Sequence, residues 1–238
     1  MPQLLLRKFG TLAVFLAGLG IVLSGCIDEP TIAVPQRPDA KVRFVHAVAD
    51  ASAPVDVYVD EKKVVTGFTY KQSTDYLSIP AGTRQLRIVP AGQDTASNIY
   101  HQIMSIPAKK KITIVAGGRV QKGDVWLFAA NERNTYSDET NHPDSAGIRL
   151  FHAVYGAGAI DLAINDATGE TVFSGIPSGF PSSYALLKAG TYKFYPLSGG
   201  VPLLSNEYFE QQIEQRHRYT FIMLGDVVNA EVLVLTDD

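Results

Sequence analysis

One cysteine, Cys26, is all that the 238 residues contain. That excludes an intramolecular disulfide, and it excludes a thiolate metal cage, which needs several ligands at close spacing. Several signatures are missing too: the G-x-S-x-G nucleophile elbow, the phosphate-binding G-x-x-x-x-G-K-[ST] loop and the H-E-x-x-H zinc helix. "GAGAID" from Gly156 lacks a third glycine and a following helix, so it reads as a loop between strands. No cofactor is implied. Positive charge is not in excess: the net charge is -3, whereas nucleic-acid binders usually show a basic footprint. Beyond the first residues no apolar run is long enough to cross a bilayer. No long segment carries a convincing 3.6-residue period. The nearest, "SNEYFEQQIEQRH", has a counterpart, "SNIYHQIMSIPAKK", with β-branched residues and a proline, and both are expected to be strands.

What the N-terminus does contain is the order of a signal peptide. Arg7 and Lys8 precede an apolar run over 9–23, broken by Gly10, Gly18 and Gly20, and Leu23, Ser24 and Gly25 lead into Cys26. A catalytic thiol would need a base and an electropositive pocket, which this surrounding does not offer. An uncleaved signal anchor is the other reading of the apolar run. "LSGC" resembles the lipobox of bacterial lipoproteins. The resemblance implies cleavage between Gly25 and Cys26 and acylation of Cys26 (diacylglycerol and a further acyl chain such as palmitate), hence a lipid-anchored chain in the cell envelope. Ile27 follows the cysteine, where an Asp would resemble an inner-membrane retention signal, so the resemblance points to the outer membrane. Loss of Arg7 and Lys8 makes the mature chain two charges more acidic than the -3 of the whole. Residues 26–40 follow as a tether. Pro30, Pro35 and Pro38 stiffen it, and at roughly 3 Å per residue it reaches about 40 Å.

The rest of the chain is written twice. "VRFVHAVADASAPVDVYVD" from Val42 returns as "IRLFHAVYGAGAIDLAIN" from Ile148, and "YLSIPAGTRQLRIVPAG" from Tyr76 returns as "YALLKAGTYKFYPLSGG" from Tyr184. "ITIVAGGRVQKGDVWLFAAN" then matches "YTFIMLGDVVNAEVLVLTDD" without a gap. This gives repeats over 41–131 and 147–238 with a polar linker over 132–146, each repeat long enough for its own core. The linker carboxylates Asp138, Glu139 and Asp144 do not follow EF-hand order, and no metal site is assigned. Val55, Val57 and Val59 alternate with Asp56, Tyr58 and Asp60, as Ile160, Leu162 and Ile164 do in the second copy, the period of a strand with one buried face. Gly82 in "PAGT" suits a turn with positive φ. Short strands with Gly and Pro turns predict an all-β chain of two tandem β-sandwiches of immunoglobulin-like type.

The pattern "R-x-x-H-A", then "V-D-V-Y-V-D", then "Y-x-x-x-x-A-G-T" resembles the bacterial domain of unknown function 4397. Arg43, His46, Ala47, Val55 to Asp60, Tyr76 and Ala81 carry it in the first copy. In the second, Ala163 and Asn165 replace the Tyr and the second Asp. The resemblance implies a surface or secreted location and a fold, and no activity.

Three sets of residues are candidates for function. The repeated pairs His46/Asp56 and His152/Asp161 can be read as general-base dyads of an envelope hydrolase, although no nucleophile completes them, or as devices of the fold, which a twofold occurrence favours. Lys109, Lys110 and Lys111 align with Arg216, His217 and Arg218 as a basic turn before the same strand. Such turns suit phosphate or acidic glycan, and they also keep strand edges from pairing. Tyr195 is placed on the strand face beside Lys193, away from Phe194, where it can stack on a sugar or on its neighbours. The sequence thus reads as a non-catalytic binding, adhesion or scaffold protein, with membrane lipid and an envelope glycan or protein as partners.

Overall fold

The computed structural model describes residues 38–132 and 142–237. The signal segment, Gly25, Cys26, most of the tether and the linker residues Asp138, Glu139 and Asn141 lie outside the described residues. Gln36–Asp238 form one compact unit, and its described residues are all-β apart from one 3-10 turn at Thr95–Ser97.

The first repeat comprises β1 (Ala40–His46), β2 (Val55–Val59), β3 (Lys62–Phe68), β4 (Leu77–Ile79), β5 (Gly82–Pro90), β6 (Tyr100–Ile106), β7 (Lys111–Gly117) and β8 (Trp126–Asn131). The second comprises β9 (Ser145–His152), β10 (Ile160–Ile164), β11 (Thr171–Ile176), β12 (Ala185–Lys188), β13 (Gly190–Ser198), β14 (Val201–Pro202), β15 (Phe209–Ile213), β16 (Arg218–Gly225) and β17 (Ala230–Thr236). Each repeat is a two-sheet sandwich. One sheet has the order β4-β1-β7-β8, or β12-β9-β16-β17. The other has the order β3-β2-β5-β6, or β11-β10-β13 with β14 and β15 both on β13. Both segments in which helical and strand readings competed are strands, β6 and β15.

The strand order is not the immunoglobulin one. There the first two strands are neighbours in one sheet, whereas here β1 and β2 lie in different sheets and β1 sits between β4 and a parallel β7. Alternation tells which side chains face a core. It does not tell which distant strand supplies the neighbouring backbone, so the sandwich was legible and its pairing was not.

Within each repeat the apolar set faces the core as read, although Asp56 and Ala163 on the other face are buried as well. Val55, Val57 and Val59 close on Phe44, Leu86, Ile88 and Ile114; Ile160, Leu162 and Ile164 close on Phe194 and Phe221. β1 and β9, however, are buried on both faces. Val45, Ala47, Phe151 and Ala153 point away from their own sandwiches and meet Val115, Ala130, Ile222, Leu224 and Leu235 in a third core. The sheets containing β1 and β9 therefore pack against each other, and the layers run outer, inner, inner, outer. β9 begins at Ser145, within the stretch read as linker, and Ser145 and Ala146 are buried.

The ungapped match of the last hairpin needs correction. Gly118 and Gly225 enter it with φ of 91° and 94°. A Cβ there would lie 2.2 Å from the Asp124 carbonyl oxygen and 2.3 Å from that of Asn229. Asp124 is thus the equivalent of Asn229, and the second hairpin is shorter by two residues. β8 pairs with β7 as Ile112 with Asn131, and β17 with β16 as Tyr219 with Thr236. Trp126 therefore corresponds to Glu231, and Glu132, read as the first linker residue, corresponds to Asp237.

Candidate functional site

The repeated histidines and aspartates serve the fold separately. His46 is 2% exposed, its ring lies 5.6 Å from that of Phe68, and its Nδ1 accepts the Val48 N–H at 3.3 Å. His152 Nδ1 likewise accepts the Val154 N–H at 3.2 Å. A neutral imidazole that accepts at Nδ1 carries its proton on Nε2, and His152 Nε2 donates to the Gly158 carbonyl at 2.8 Å. Burial pushes His46 down to about 4 and His152 in the same direction.

Asp56 accepts from Lys63 Nζ at 2.5 Å, the Gly67 amide at 2.9 Å and the Gly92 amide at 3.3 Å. Burial alone would raise its pKa, but Lys63 and the two amides outweigh this and hold the carboxyl below the usual range. Asp161 accepts from Ser174 Oγ at 3.0 Å and from the Gly175 amide at 2.7 Å. Gly67 and Gly175 have φ of 63° and 66°, next to the register shifts between β2 and β3 and between β10 and β11. The repeated aspartate is a clamp on a β-bulge. Histidine and aspartate stand on strands of different sheets and share no hydrogen bond, so neither pair is a catalytic dyad. The departure at Asn165 is equally local: Asp60 and Asn165 have φ of 53° and 71°, the left-handed region that Asp and Asn tolerate best among residues with a Cβ.

The buried histidines give a pH dependence with a definite sign. A folded value near 4 against 6.5 unfolded means that the unfolded chain binds the proton first, so stability is complete above about pH 6.5 and is lost as pH falls toward about 4. His46 alone is expected to remove about 2 kcal/mol between about pH 6.5 and about pH 5. Glu132, raised by burial, acts in the opposite sense. Urea midpoints across that range check this, and His46→Gln should flatten the slope.

The polar cluster that the sequence reading missed lies between the repeats. Arg43 and Arg149 project from β1 and β9 into the contact between the inner sheets, each guanidinium over a tyrosine ring, Tyr76 at 4.8 Å and Tyr184 at 4.7 Å. Arg43 donates to Thr113 Oγ1 at 3.2 and 3.0 Å, and Arg149 donates to Thr220 Oγ1 at 2.6 Å. Each then reaches the other repeat's last strand: Arg43 Nη1 donates to the Thr236 carbonyl at 2.8 Å and Arg149 Nη1 to that of Asn131 at 3.2 Å. The carboxylates follow the same symmetry, with Tyr76 OH and Thr113 donating to Glu132 and Tyr184 OH and Thr220 donating to Asp237. Arg43 pairs with Asp237 across the interface, and Arg149 stands 3.6 Å from Asp237 and 4.0 Å from Glu132. The four charges are buried and balance. This is an internal pseudo-twofold interface in which the same patch meets itself. Arg43 and Tyr76 were visible as pattern residues. Their meeting was hidden, because Glu132 fell in the linker and the ungapped match gave it no partner.

Around this centre the symmetry relaxes. Glu231 takes Lys71 and the Tyr70 hydroxyl from the first repeat, whereas its equivalent Trp126 stacks on Phe151 at 6.3 Å. Arg119 pairs with Asp226 at 2.8 Å and lies 4.7 Å from the Tyr155 ring.

The two outer sheets keep one face each toward solvent. On the first, Tyr58 is in register with Lys63 and Arg87, and Arg87 with His101. Lys63 Nζ is 5.5 Å from the Tyr58 ring, and Arg87 pairs with Glu61 at 2.7 Å. On the second, Ala163 takes the place of Tyr58, but the strand beside it carries Tyr195, whose ring lies 5.2 Å from that of Tyr208, with Lys193 Nζ 4.7 Å from the Tyr208 ring. The tyrosine has moved along the row and been doubled. The basic turns do local work. Lys109 and Arg216 occupy left-handed positions, with φ of 58° and 64°, and their amides donate to the Asp39 and Ser145 carbonyls at 3.1 and 2.8 Å. Lys111 Nζ lies 5.0 Å from the Tyr76 ring. Lys110 is exposed, and its carbonyl accepts from Lys41 at 2.8 Å. His217 Nδ1 is 3.1 Å from the Gln215 carbonyl. Arg218 opens β16, and its carbonyl accepts the Asp237 amide at 2.9 Å.

A family model described as a domain of unknown function (DUF4397) matches the chain over residues 40–141 and again over 146–238. No curated protein matches it in sequence. Among solved structures, an α-glucan-binding streptococcal virulence factor is 10% identical with a TM-score of 0.25, over 81% of this chain and 96% of that one. Family 41 carbohydrate-binding modules of streptococcal virulence factors, described for α-glucan recognition, are 10% identical with a TM-score of 0.25, over 80% of this chain and 96% of the other. The Bacillus anthracis TIE protein is 13% identical with a TM-score of 0.24, over 79% of this chain and 34% of its own. Scores at this level carry no argument about ligand.

Proposed function

Since the chain belongs to the DUF4397 family and holds two copies of its domain, we propose that it is a non-catalytic binding and scaffold protein of the bacterial envelope. It is held by acylated Cys26, in the outer membrane, and presents its two outer sheet faces to an envelope glycan or protein. The observation that carries this reading is the division of labour between faces. The repeated His, Asp, Arg and Tyr residues are engaged in bulges, cores and the interface, and the faces that remain open carry tyrosines beside cations, Tyr58 with Lys63 and Tyr195 and Tyr208 with Lys193. A tyrosine offers a flat apolar ring and a polar tip, the combination that suits a sugar face or a partner surface.

Binding of the full-length protein to an array of envelope glycans, with Tyr195→Ala/Tyr208→Ala as the control, tests the reading. The double variant is expected to bind about tenfold more weakly, a loss of about 1.4 kcal/mol, while folding as the parent does. Turnover of any array member that His46→Ala abolishes would replace this reading with a hydrolase. The anchor has its own test: Cys26→Ala is expected to take up no labelled palmitate and to remain an unprocessed precursor, and processing at Gly25 in that variant would refute it.

A further inference from the structure

A strand at the edge of a sheet offers its outward amides and carbonyls to any extended chain, and folded proteins blunt such edges with charge, proline, bulges or brevity. Among the described residues most edges of the four sheets are blunted in these ways. β3 carries Lys62 and Lys63 and a register shift on β2, and β11 has a register shift on β10. β4 has three residues and β12 has four, the last being Lys188. β14 contains Pro202, β15 contains Glu210 and β17 contains Glu231. β8 has no charge, but its Trp126 and Phe128 are turned against Phe151 of the other repeat.

β6 is the exception. It ends the order β3-β2-β5-β6 and runs for seven residues, "YHQIMSI", without Asp, Glu, Lys, Arg or Pro. Its register on β5 is unbroken from Gly82 with Ile106 to Ile88 with Tyr100. His101, Ile103 and Ser105 face solvent, whereas Tyr100 and Met104 lean on the first core and Ile106 is buried in it. Ile103, at the middle of this edge, is 68% exposed. In β15, the matching strand of the second repeat, the exposed positions are Glu210 and Gln212.

We propose that β6 is a docking edge for a second copy of this chain, whose own β6 pairs with it antiparallel about a twofold axis through Ile103. The strand is complementary to itself in that register. On the solvent side Ile103 meets its own copy and His101 meets Ser105; on the core side Tyr100 meets Ile106 and Gln102 meets Met104. No two carboxylates or two ammonium groups come opposite each other, the arrangement that destabilises a pair of strands. A closed twofold pair lets one patch serve both partners, and it gives each Ile103 an apolar neighbour. The product is a continuous sheet, β3-β2-β5-β6 followed by the same strands in reverse. The inference goes beyond the binding role of the outer faces and does not depend on it.

Sedimentation equilibrium of the full-length protein in detergent, from micromolar to millimolar concentration, tests it. The parent is expected to pass from one chain per particle to two. Ile103→Lys, which removes the apolar contact and sets two lysines opposite each other, is expected to weaken association about a hundredfold. Gln212→Lys, on β15, is expected to associate as the parent does, and chance sharing of a micelle is common to all three proteins and cancels. Hydrogen exchange supplies a readout that stands even if the variant does not fold: protection of the β6 amides in the parent should rise with protein concentration. A parent that stays monomeric, undiminished association in folded Ile103→Lys, or an equal loss in Gln212→Lys would each overturn the proposal. Protection of β6 that does not change with concentration would overturn it too, because the chain itself would then cover the edge.

Discussion

Replacing Arg43 with methionine is expected to destabilise the protein by about 3–5 kcal/mol, the usual result of removing one partner from a buried ion pair. The loss arises less from the attraction removed than from what is left. Asp237 would remain in a dry interface with Arg149 at 3.6 Å as its nearest cation, and the Thr236 carbonyl and Tyr76 ring would lose their partner. For a chain of this size each kcal/mol lowers the melting temperature by about 2–4 °C, so thermal unfolding should shift by roughly 10 °C. Adding Asp237→Asn should recover part of the loss, because the stranded charge goes with it. A surface ion pair is worth about 0–1 kcal/mol, and a measured loss within that range would show that the cluster does not hold the repeats together.

The second large effect is expected at Phe151. This side chain is fully buried, yet it belongs to neither sandwich core. It stacks on Trp126 at 6.3 Å and meets Phe128 edge-on at 6.0 Å, both from the other repeat. Phe151→Ala should cost about 3–5 kcal/mol, and the mode of unfolding should change as well. Each sandwich keeps its own core, so the single transition of the parent should divide into two in calorimetry as the repeats uncouple. Phe194→Ala, a comparable deletion inside the second core, should lower stability by a similar amount and weaken that repeat first. If Phe151→Ala still unfolds in one step with a small loss, the third core is not the coupling element.

How much of this was legible follows from what each signal encodes. Val55, Val57 and Val59 announced a strand and its buried face, since side-chain alternation is local. The internal repeat announced two equal units. Strand neighbours were not available from such patterns, as β1 finds β7 some seventy positions away. In "VRFVHAV" both faces of the strand are apolar apart from Arg43 and His46, a hint of burial on both sides that an expectation of separate domains concealed. A lone arginine in a strand suggests solvent, and the carboxylate that explains its burial, Asp237, belongs to the other repeat and is brought there by the shortened hairpin. Tyr195 and Lys193 both lie against Tyr208, but Tyr208, outside any strand, gave no periodic signal.

The reciprocal reach of Arg43 and Arg149 makes the chain equivalent to a dimer tied end to end. A true dimer of identical subunits must show every surface twice, so any change made to suit one partner is imposed on both sides. Covalent union lifts that constraint. The joined patch must stay self-complementary, while each outer sheet is free to alter alone. The migration of tyrosine from Tyr58 in one copy to Tyr195 and Tyr208 in the other is what such freedom permits: a single body with two unlike faces.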